Sequence, residues 1–307
     1  MKPHALVIGE ALVDMVRQTD GRISAHPGGS PANVAIGLGR LEREVELLAW
    51  LGLDENGSMI RRHLEESGVQ LARGSQSAMR TSVATANLDE TGAAHYDFDL
   101  SWAISPKASP MKRPIVVHTG SIGAILPPGG TTVLQMVQDH RSTATITYDP
   151  NARPALMGDP RTALQSIERV VAEADVVKVS DEDLLWLAPD STPDAMARRW
   201  LMEFGGAIVV VTRGGAGATA FVADGRTVDV VAPKVAVADT VGAGDSFMAG
   251  LIDGLWEADL LGADKREELR NIDGPWLTYV LERSAYIAAI TVSRPGADPP
   301  RRRELGT

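Results

Sequence analysis

Cysteine is absent from the 307 residues of the chain. A protein without thiols forms no disulfide bond and no zinc–thiolate site, and it has no cysteine nucleophile. Hydrophobic residues nevertheless make up 44% of the sequence. That share, at this length, is enough for a substantial core in one large α/β domain or two small ones.

Basic charge is also scarce, because 30 lysines and arginines face 40 aspartates and glutamates, for a net charge of −10. Such a balance argues against a surface that neutralises many phosphates, so we expect no nucleic-acid partner. The dense basic cluster "RRRE" near the C-terminus is predicted to be a solvated tail.

Long apolar runs are missing as well. The opening stretch "MKPHALVIGEALVDMV" is apolar only in short pieces and carries Glu10 and Asp14. It is therefore predicted to be neither a signal peptide nor a membrane span. We expect a soluble, cytoplasmic protein without a membrane partner.

Two familiar phosphate-binding motifs are not found. No Gly-Lys-Ser/Thr follows a glycine-rich turn, so there is no Walker A loop, and the spacing G-x-G-x-x-G is absent from the glycine-rich segments. The second absence disfavours a nicotinamide-dependent oxidoreductase.

Short apolar segments alternate with helical ones along most of the chain. "TITYD", "VVKVS" and "AIVVVT" have the character of buried strands, and stretches such as "TPDAMARRWLMEFG" have helical spacing. This alternation predicts an α/β fold with a central, mainly parallel sheet flanked by helices. Since no linker divides the chain, we expect a single domain over residues 1–307.

The segments 11–25 and 81–102 depart from this rhythm, because polar and apolar residues alternate within them. They predict a small β-sheet beside a turn at "HPGGSP", serving either as a lid over a cleft or as an edge hairpin. An uncovered apolar face with Val83, Tyr96 and Phe98 would favour a homodimer with paired lids. The alternative is a monomer whose hairpin folds over its own cleft.

A glycine-rich turn runs directly into an aspartate in "DTVGAGDSFMAG", residues 239–250. Gly242 and Gly244 allow a ligand to approach the backbone, and the N-terminus of the following helix attracts an anion. A carboxylate repels anions, so Asp245 fits this place as a general base for a substrate hydroxyl. The alternative at this point is a plain glycine turn capped by an aspartate.

A second glycine pair precedes a helix in "PGGSPANVA", residues 27–35. The backbone amides of Gly28 and Gly29 and the side chain of Asn33 can bond to a polyol. Taken alone, the segment is better explained as an ordinary helix start.

Together the two segments resemble the signatures of the ribokinase-like (PfkB) carbohydrate kinase family. "GEALVDM", "YDFDLSW", "HTGS", "YDPNAR" and "SRPGADPP" resemble its fructokinase branch. The resemblance extends over nearly the whole chain. It implies a ribokinase-like fold and the transfer of the ATP γ-phosphate to a sugar hydroxyl, with Mg²⁺ as cofactor.

The resemblance also implies roles for individual residues. Asp245 matches the catalytic base, and Gly242, Ala243 and Gly244 match the anion hole. The positions implied for the sugar are Asp14, Gly28, Gly29, Asn33, Phe98 and Arg153, and those for the nucleotide are Ser180, Asp183, Thr212, Gly214 and Gly217. In relatives, backbone carbonyls surround a potassium ion, and the matching positions here are Asp239, Val241, Thr291, Arg294 and Gly296.

One stretch departs from the family's pattern. Relatives commonly have Asn-x-x-Glu after the strand that "VVKVS" resembles, and these side chains help to organise magnesium and phosphate. Here Ser180 and Asp183 occupy the two positions. Since Mg²⁺ is usually held by few protein ligands and several waters, activity is still expected.

Among sugars, the sequence favours fructose. A keto-deoxy acid, the second candidate, requires a cationic clamp for its carboxylate, and "AAHYDFDLSWAIS" supplies Asp97 and Asp99 but no lysine or arginine. Arg153 could reach a substrate from the main domain or could have a structural role. Ribose or a nucleoside follows, and a sugar-binding protein without catalysis is the non-enzymatic alternative, which the intact Asp245 disfavours.

Overall fold

Two β-sheets of different size organise the protein. The computed structural model describes residues 2–18, 20, 22–88, 94–105 and 107–306, and for residues 88 and 94–96 it describes the backbone alone. The strands of this part of the chain are β1 (Ala5–Ile8), β2 (Leu12–Arg17), β3 (Ile23–Gly28), β4 (Val45–Leu48), β5 (Val69–Leu71), β6 (Val83–Leu88), β7 (Ala94–Asp99), β8 (Val116–Gly120), β9 (Thr145–Asp149), β10 (Val176–Ser180), β11 (Ile208–Thr212), β12 (Ala218–Val222) and β13 (Thr227–Val230).

Most helices begin where the local sequence supplies a start signal. The α-helices are α1 (Ser30–Arg40), α2 (Glu55–Glu66), α3 (Ser121–Ile125), α4 (Gly129–His140), α5 (Pro154–Met157), α6 (Pro160–Val171), α7 (Asp181–Leu187), α8 (Pro193–Phe204), α9 (Ala243–Glu257), α10 (Arg266–Arg270) and α11 (Gly274–Val292). Asp159 and Thr192 cap α6 and α8, and a proline follows each cap. Within the described ranges, no helix combines the length and the apolar character needed to cross a membrane.

The large sheet has nine strands in the order β13-β12-β11-β10-β9-β8-β1-β4-β5. Neighbours from β11 to β5 are parallel, whereas β12 and β13 add antiparallel to the edge. Two apolar clusters cover its faces: Val176 packs with α1, α9 and α11, and Val177 packs with α6 and α8. The predicted α/β fold, with a central, mainly parallel sheet between helices, is confirmed.

The small sheet is separate and has the order β3-β2-β6-β7, as predicted for the two alternating segments. One boundary was wrong, because "HPGGSP" is not a turn throughout. β3 continues through His26 and Pro27 to Gly28, where it pairs with Leu12 of β2. Proline is tolerated here since β3 is an edge strand and need not donate every N–H. That this sheet works as a lid stays a prediction.

The predicted apolar face of the small sheet was wrong in part. Val83 pairs with Asp99, whereas Phe98 pairs with Ala84. Because side chains alternate along a strand, Val83 and Phe98 lie on opposite faces. The side chain of Tyr96, the third residue of the predicted face, lies outside the described residues.

The basic cluster near the C-terminus was predicted to be a solvated tail, which was wrong in part: Arg301 and Arg302 dock on the main body, whereas Arg303 is exposed. Arg302 donates to the carbonyl of Leu41 and lies 2.6 Å from the carboxylate of Asp253. Asp253 is fully buried on α9 and also pairs with Arg43 and Arg283. A buried carboxylate is costly without cationic partners, and these three arginines supply them. Composition alone cannot indicate this arrangement.

We expect Asp253→Asn to destabilise the fold without a direct effect on the active site. Removing the charge leaves three arginines facing one another, and the loss of a buried pair's partner costs about 3 kcal/mol. The measurement is thermal or urea unfolding. Glu65→Gln, which breaks the exposed pair with Arg61, is the matched control and should cost less than about 1 kcal/mol. Equal stability of the two variants would contradict the assigned role.

The homodimer stays a prediction, and sedimentation velocity at several micromolar concentrations tests it. Phe98 is 38% exposed and Val83 is half-buried, on opposite faces of the sheet. We expect Phe98→Asp or Val83→Asp, but not both, to shift a dimer toward the monomer. A monomer at every concentration would contradict paired lids, and a dimer indifferent to both changes would place the contact elsewhere.

Candidate active site

The two glycine-rich segments meet through Asp245. This residue lies in the first turn of α9 and is 6% exposed. Its Oδ1 accepts a hydrogen bond from Ser30 Oγ at 2.7 Å, and its Oδ2 accepts one from Asn33 Nδ2 at 2.8 Å. Ser30 and Asn33 precede Asp245 by 215 and 212 positions in the sequence. Residues far apart along the chain therefore hold one carboxylate in a fixed orientation.

The turn before Asp245 contains the glycines of the predicted anion hole. Gly242 has a φ of 76° and directly precedes α9, and a Cβ at this position would lie 2.6 Å from that of Ala297. The first N–H groups of a helix have no partner within it and carry partial positive charge. The structure thus places the predicted anion hole, Gly242 to Gly244, at the same helix end as the carboxylate.

The small sheet carries Asp14 on β2. A Cβ on Gly28 would lie 2.0 Å from Asp14 Oδ2, so the carboxylate rests against this glycine. Asp14 is accessible to solvent, but the surrounding cleft raises its pKa by desolvation, and the charges of Arg153 and His26 oppose this. Asp14, Ala84 and Phe98 lie in one row across three strands, so Asp14 and Phe98 share a face.

Arg153 belongs to the loop after β9. Its Nη1 donates to Asn151 Oδ1 at 2.6 Å and to the carbonyls of Asn151 and Ala152. Its charge opposes the rise in the pKa of Asp14, so the guanidinium lies near this carboxylate. The side chain thus supports its own loop and also faces the region predicted for the sugar.

Glu10 is a further carboxylate of this region, which the sequence reasoning did not single out as a site residue. It follows β1 directly, is 6% exposed, and accepts a hydrogen bond from the backbone of Gly123 at 2.8 Å. Burial raises its pKa to about 7, against the opposing effects of Ser121, Gly123 and Arg153. A carboxylate immediately after a buried parallel strand was the signal that could have identified it.

The segment that departs from the family's pattern forms a helix cap. Ser180 Oγ accepts a hydrogen bond from the Asp183 N–H at 3.0 Å, at the start of α7. Asp183 Oδ1 in turn accepts one from the Ala152 N–H at 3.1 Å. Ser180 and Asp183 therefore join the carboxyl end of β10 to the Arg153 loop.

Thr212 is the last residue of β11, and Gly214 and Gly217 lie in the turn that follows it. The Arg213 N–H donates to the carbonyl of Gly217 at 2.8 Å, which closes the turn. Gly217 has a φ of 108°, and a Cβ there would lie 2.0 Å from the carbonyl oxygen of Val230. Only glycine fits this close approach of two backbone segments.

Residues 2–303 match the family model described as pfkB family carbohydrate kinase. The chain belongs to this family. A fructokinase of Rhizobium leguminosarum bv. trifolii is 33% identical over 266 residues, which cover 83% of this chain and 81% of the relative. The prediction that the protein is a sugar kinase, a phosphotransferase, is confirmed.

Solved structures agree with the fold of the kinase. A fructokinase with bound ATP from Xylella fastidiosa superposes with a TM-score of 0.82 at 23% identity, over 99% of this chain and 98% of the other. A fructokinase double mutant from Vibrio cholerae O395, bound to fructose, ADP and potassium, gives a TM-score of 0.77 at 24% identity, over 99% and 97% of the two chains. The predicted ribokinase-like fold is thereby confirmed.

The positions predicted for a monovalent cation in the kinase lie on two segments that meet beside the anion hole. Asp239 Oδ2 accepts a hydrogen bond from the Gly296 N–H at 2.9 Å, and the Asp239 N–H donates to the carbonyl of Val292. Val241 lies on the first segment, and Thr291 and Arg294 lie on the second. These segments could offer backbone carbonyls to potassium, whereas the described residues contain no cluster of three acidic or histidine side chains suited to a metal ion.

A buried ion pair lies next to Gly244, a residue of the predicted anion hole, and the sequence reasoning missed it. Lys178 Nζ on β10 lies 2.8 Å from Asp149 Oδ2 on β9, and both side chains are nearly or fully buried. Burial raises the pKa of Asp149 to about 6, and Lys178 opposes this shift. A lysine within the buried strand "VVKVS" was the signal available in the sequence.

We expect Gly28→Ala to impair sugar binding selectively. The new methyl group would displace the Asp14 carboxylate, a flexible group that can turn away at little cost to the fold. Steady-state kinetics should show the KM for sugar rising about tenfold or more, with the KM for ATP unchanged, because a polyol hydroxyl loses its partner. Gly274→Ala, where a Cβ meets no atom closer than 3.8 Å, is the control. Equal effects on both substrates would contradict a role of Asp14 in sugar binding.

Proposed function

We propose that the protein is an ATP-dependent fructokinase in which Asp245 is the general base. The observation that carries this proposal is the buried Asp245 carboxylate, oriented by Ser30 and Asn33 at the helix end that also forms the anion hole. A base and an anion site at one place suit the attack of a hydroxyl on a phosphoryl group.

The reaction requires a proton acceptor and charge stabilisation. Asp245 takes the proton of the sugar hydroxyl. The hydroxyl oxygen forms a bond to the γ-phosphorus of ATP as the bond between that phosphorus and ADP breaks. The N–H groups of Gly242, Ala243 and Gly244 stabilise the charge on the phosphoryl oxygens. Magnesium would neutralise phosphate charge, and Ser180 and Asp183 are the side chains placed to help hold it.

A neutral sugar fits the cleft better than an acid sugar. Asp14 from the small sheet and Asp245 from α9 both bring negative charge, which a substrate carboxylate would have to approach. Arg153, the cation beside Asp14, already donates to Asn151 and Ala152. The relative from Rhizobium leguminosarum bv. trifolii, whose name is fructokinase, supports fructose within the neutral sugars.

Potassium and a lid complete the proposal. The two backbone segments that contain Asp239 and Gly296 would hold a potassium ion next to the anion hole, where its charge would strengthen the N–H groups. The small sheet, with Asp14 and Phe98 on one face, would close over the sugar and exclude water.

We expect Asp245→Asn to lower kcat by about 100-fold or more, because a positioned general base contributes on that scale. The asparagine can keep its bonds to Ser30 and Asn33 once the Asn33 amide turns over, so the fold and sugar affinity should persist. A coupled ADP-release assay with fructose, 2-keto-3-deoxygluconate, ribose and nucleosides measures this, and calorimetry measures sugar binding. Asp139→Asn, an exposed change on α4, is the control.

The outcomes separate the parts of the proposal. Turnover of another sugar with a higher kcat/KM than fructose would refute the substrate and leave the mechanism. Near-normal kcat in Asp245→Asn would remove Asp245 as the base. Sugar binding by the wild type without turnover of any candidate would point to a binding protein.

A further inference from the structure

Lys178 stands out because a cation occupies the middle of a buried parallel strand. Side chains alternate along β10, and Val176 packs with α9 while Val177 and Val179 pack on the opposite face. Lys178 therefore points toward α9, and it is only 4% exposed. A Cβ on Gly244 would lie 3.0 Å from Lys178 Nζ, so the ammonium group lies against the glycine turn of the proposed anion hole.

The charged and titratable groups around this ammonium come from β8, β9 and the starts of α7 and α9, whereas Val210 on the neighbouring strand β11 is apolar. Asp149 on β9 is the direct counter-charge, and its Oδ2 accepts no well-aligned hydrogen bond from a described residue, although Nζ is 2.8 Å away. His118 on β8 is buried, and desolvation together with the Lys178 charge lowers its pKa to about 3, so it stays neutral. Asp183 and Asp245 also act on Asp149. Lys178 is thus one cation near three carboxylates, those of Asp149, Asp183 and Asp245.

Stability alone does not explain an ion pair at this place. A buried pair can usually be replaced by apolar side chains of similar volume without loss of stability, and the neighbouring residues of β10 are valines. A phosphoryl group at the anion hole, in contrast, brings negative charge to the side of Gly244 that Lys178 adjoins. Lysine is a common phosphate ligand because its ammonium acts as a compact point charge.

We propose that Lys178 is a further catalytic residue, which contacts the phosphoryl group in transit beside the Gly244 amide, and that Asp149 is the positioning residue that holds its ammonium there. The inference rests on the phosphoryl transfer proposed for Asp245. Lys178 keeps its proton throughout, so the bonds that form and break are those of the base-catalysed step. Its contribution is the stabilisation of charge in a site with little water.

The test compares Lys178→Met, Asp149→Asn and the double variant, with the exposed Lys107→Met as control. Lys178→Met alone leaves a buried aspartate without its counter-ion, which can unfold the protein, whereas the double variant removes one positive and one negative charge and leaves the net charge of the region unchanged. We expect the double variant to melt near the wild type and to lose about 100-fold or more in kcat, as for loss of a transition-state donor.

The affinities for ATP and ADP distinguish a catalytic role of Lys178 from a structural one. A purely structural role would not weaken the binding of ATP more than that of ADP. The double variant should bind a non-hydrolysable ATP analogue about tenfold more weakly, because a γ-phosphoryl contact is lost, while its Kd for ADP stays within about twofold. Where Lys178→Met folds, it should be as slow as the double variant, since Asp149 acts through Lys178. A kcat within about threefold of the wild type, or equal weakening of ADP and the analogue, would overturn the proposal.

The result is distinguishable from failure of the proposed function. Should the wild type transfer phosphate to none of the sugars, the fructokinase proposal fails, yet the comparison of ADP with the ATP analogue still reports on Lys178. Should the wild type and Asp245→Asn behave as expected while the double variant keeps full turnover, Lys178 alone is refuted.

Discussion

A carboxylate buried at the N-terminus of a helix is the constraint on which the active site depends. Asp245 is shielded from water, and such a group is tolerated only where donors satisfy its oxygens. Ser30 and Asn33 supply those donors from the first turn of α1, so α1 and α9 must begin side by side. Gly37 permits this contact, because a Cβ there would lie 2.6 Å from that of Ala249. One helix–helix contact therefore sets both the packing and the orientation of the carboxylate.

The sheet beneath this contact supplies charge. The carboxyl ends of β9 and β10 meet the N-termini of α7 and α9, which is where open parallel sheets place their ligands. Asp149 and Lys178 form a buried pair at this edge, and burial raises the pKa of Asp149 and of Glu10. Asp149 is fully buried and Glu10 is 6% exposed, so this part of the sheet is poorly hydrated. In such surroundings each charge and each backbone N–H acts more strongly on a phosphoryl group than it would in water.

The candidate site residues are distributed over the two sheets and their helices. The large sheet and its helices carry Asp245, the anion hole and the turn after β11, whereas the small sheet carries Asp14 and Phe98 on one face. The residues proposed for phosphoryl transfer thus lie on elements that pack against the core. The residues proposed to select the sugar lie on an exposed sheet that can vary without disturbing the core.

Local patterns predicted much of this protein, because strands, helices and turns depend on residues close in sequence. The alternation of "TITYD", "VVKVS" and "AIVVVT" with helical stretches gave the α/β fold, and "GGSPANVA" and "VGAGD" marked the starts of α1 and α9. The partners of those residues depended on the tertiary structure. Ser30 reaches Asp245 across 215 positions, Lys178 meets Asp149 on another strand, and Arg302 docks on Asp253 from the chain's end. Strand register placed Val83 and Phe98 on opposite faces. Periodicity shows that a residue is buried or exposed, but a buried charge is satisfied by whichever group the fold brings within 3 Å, and only the packed chain determines that group.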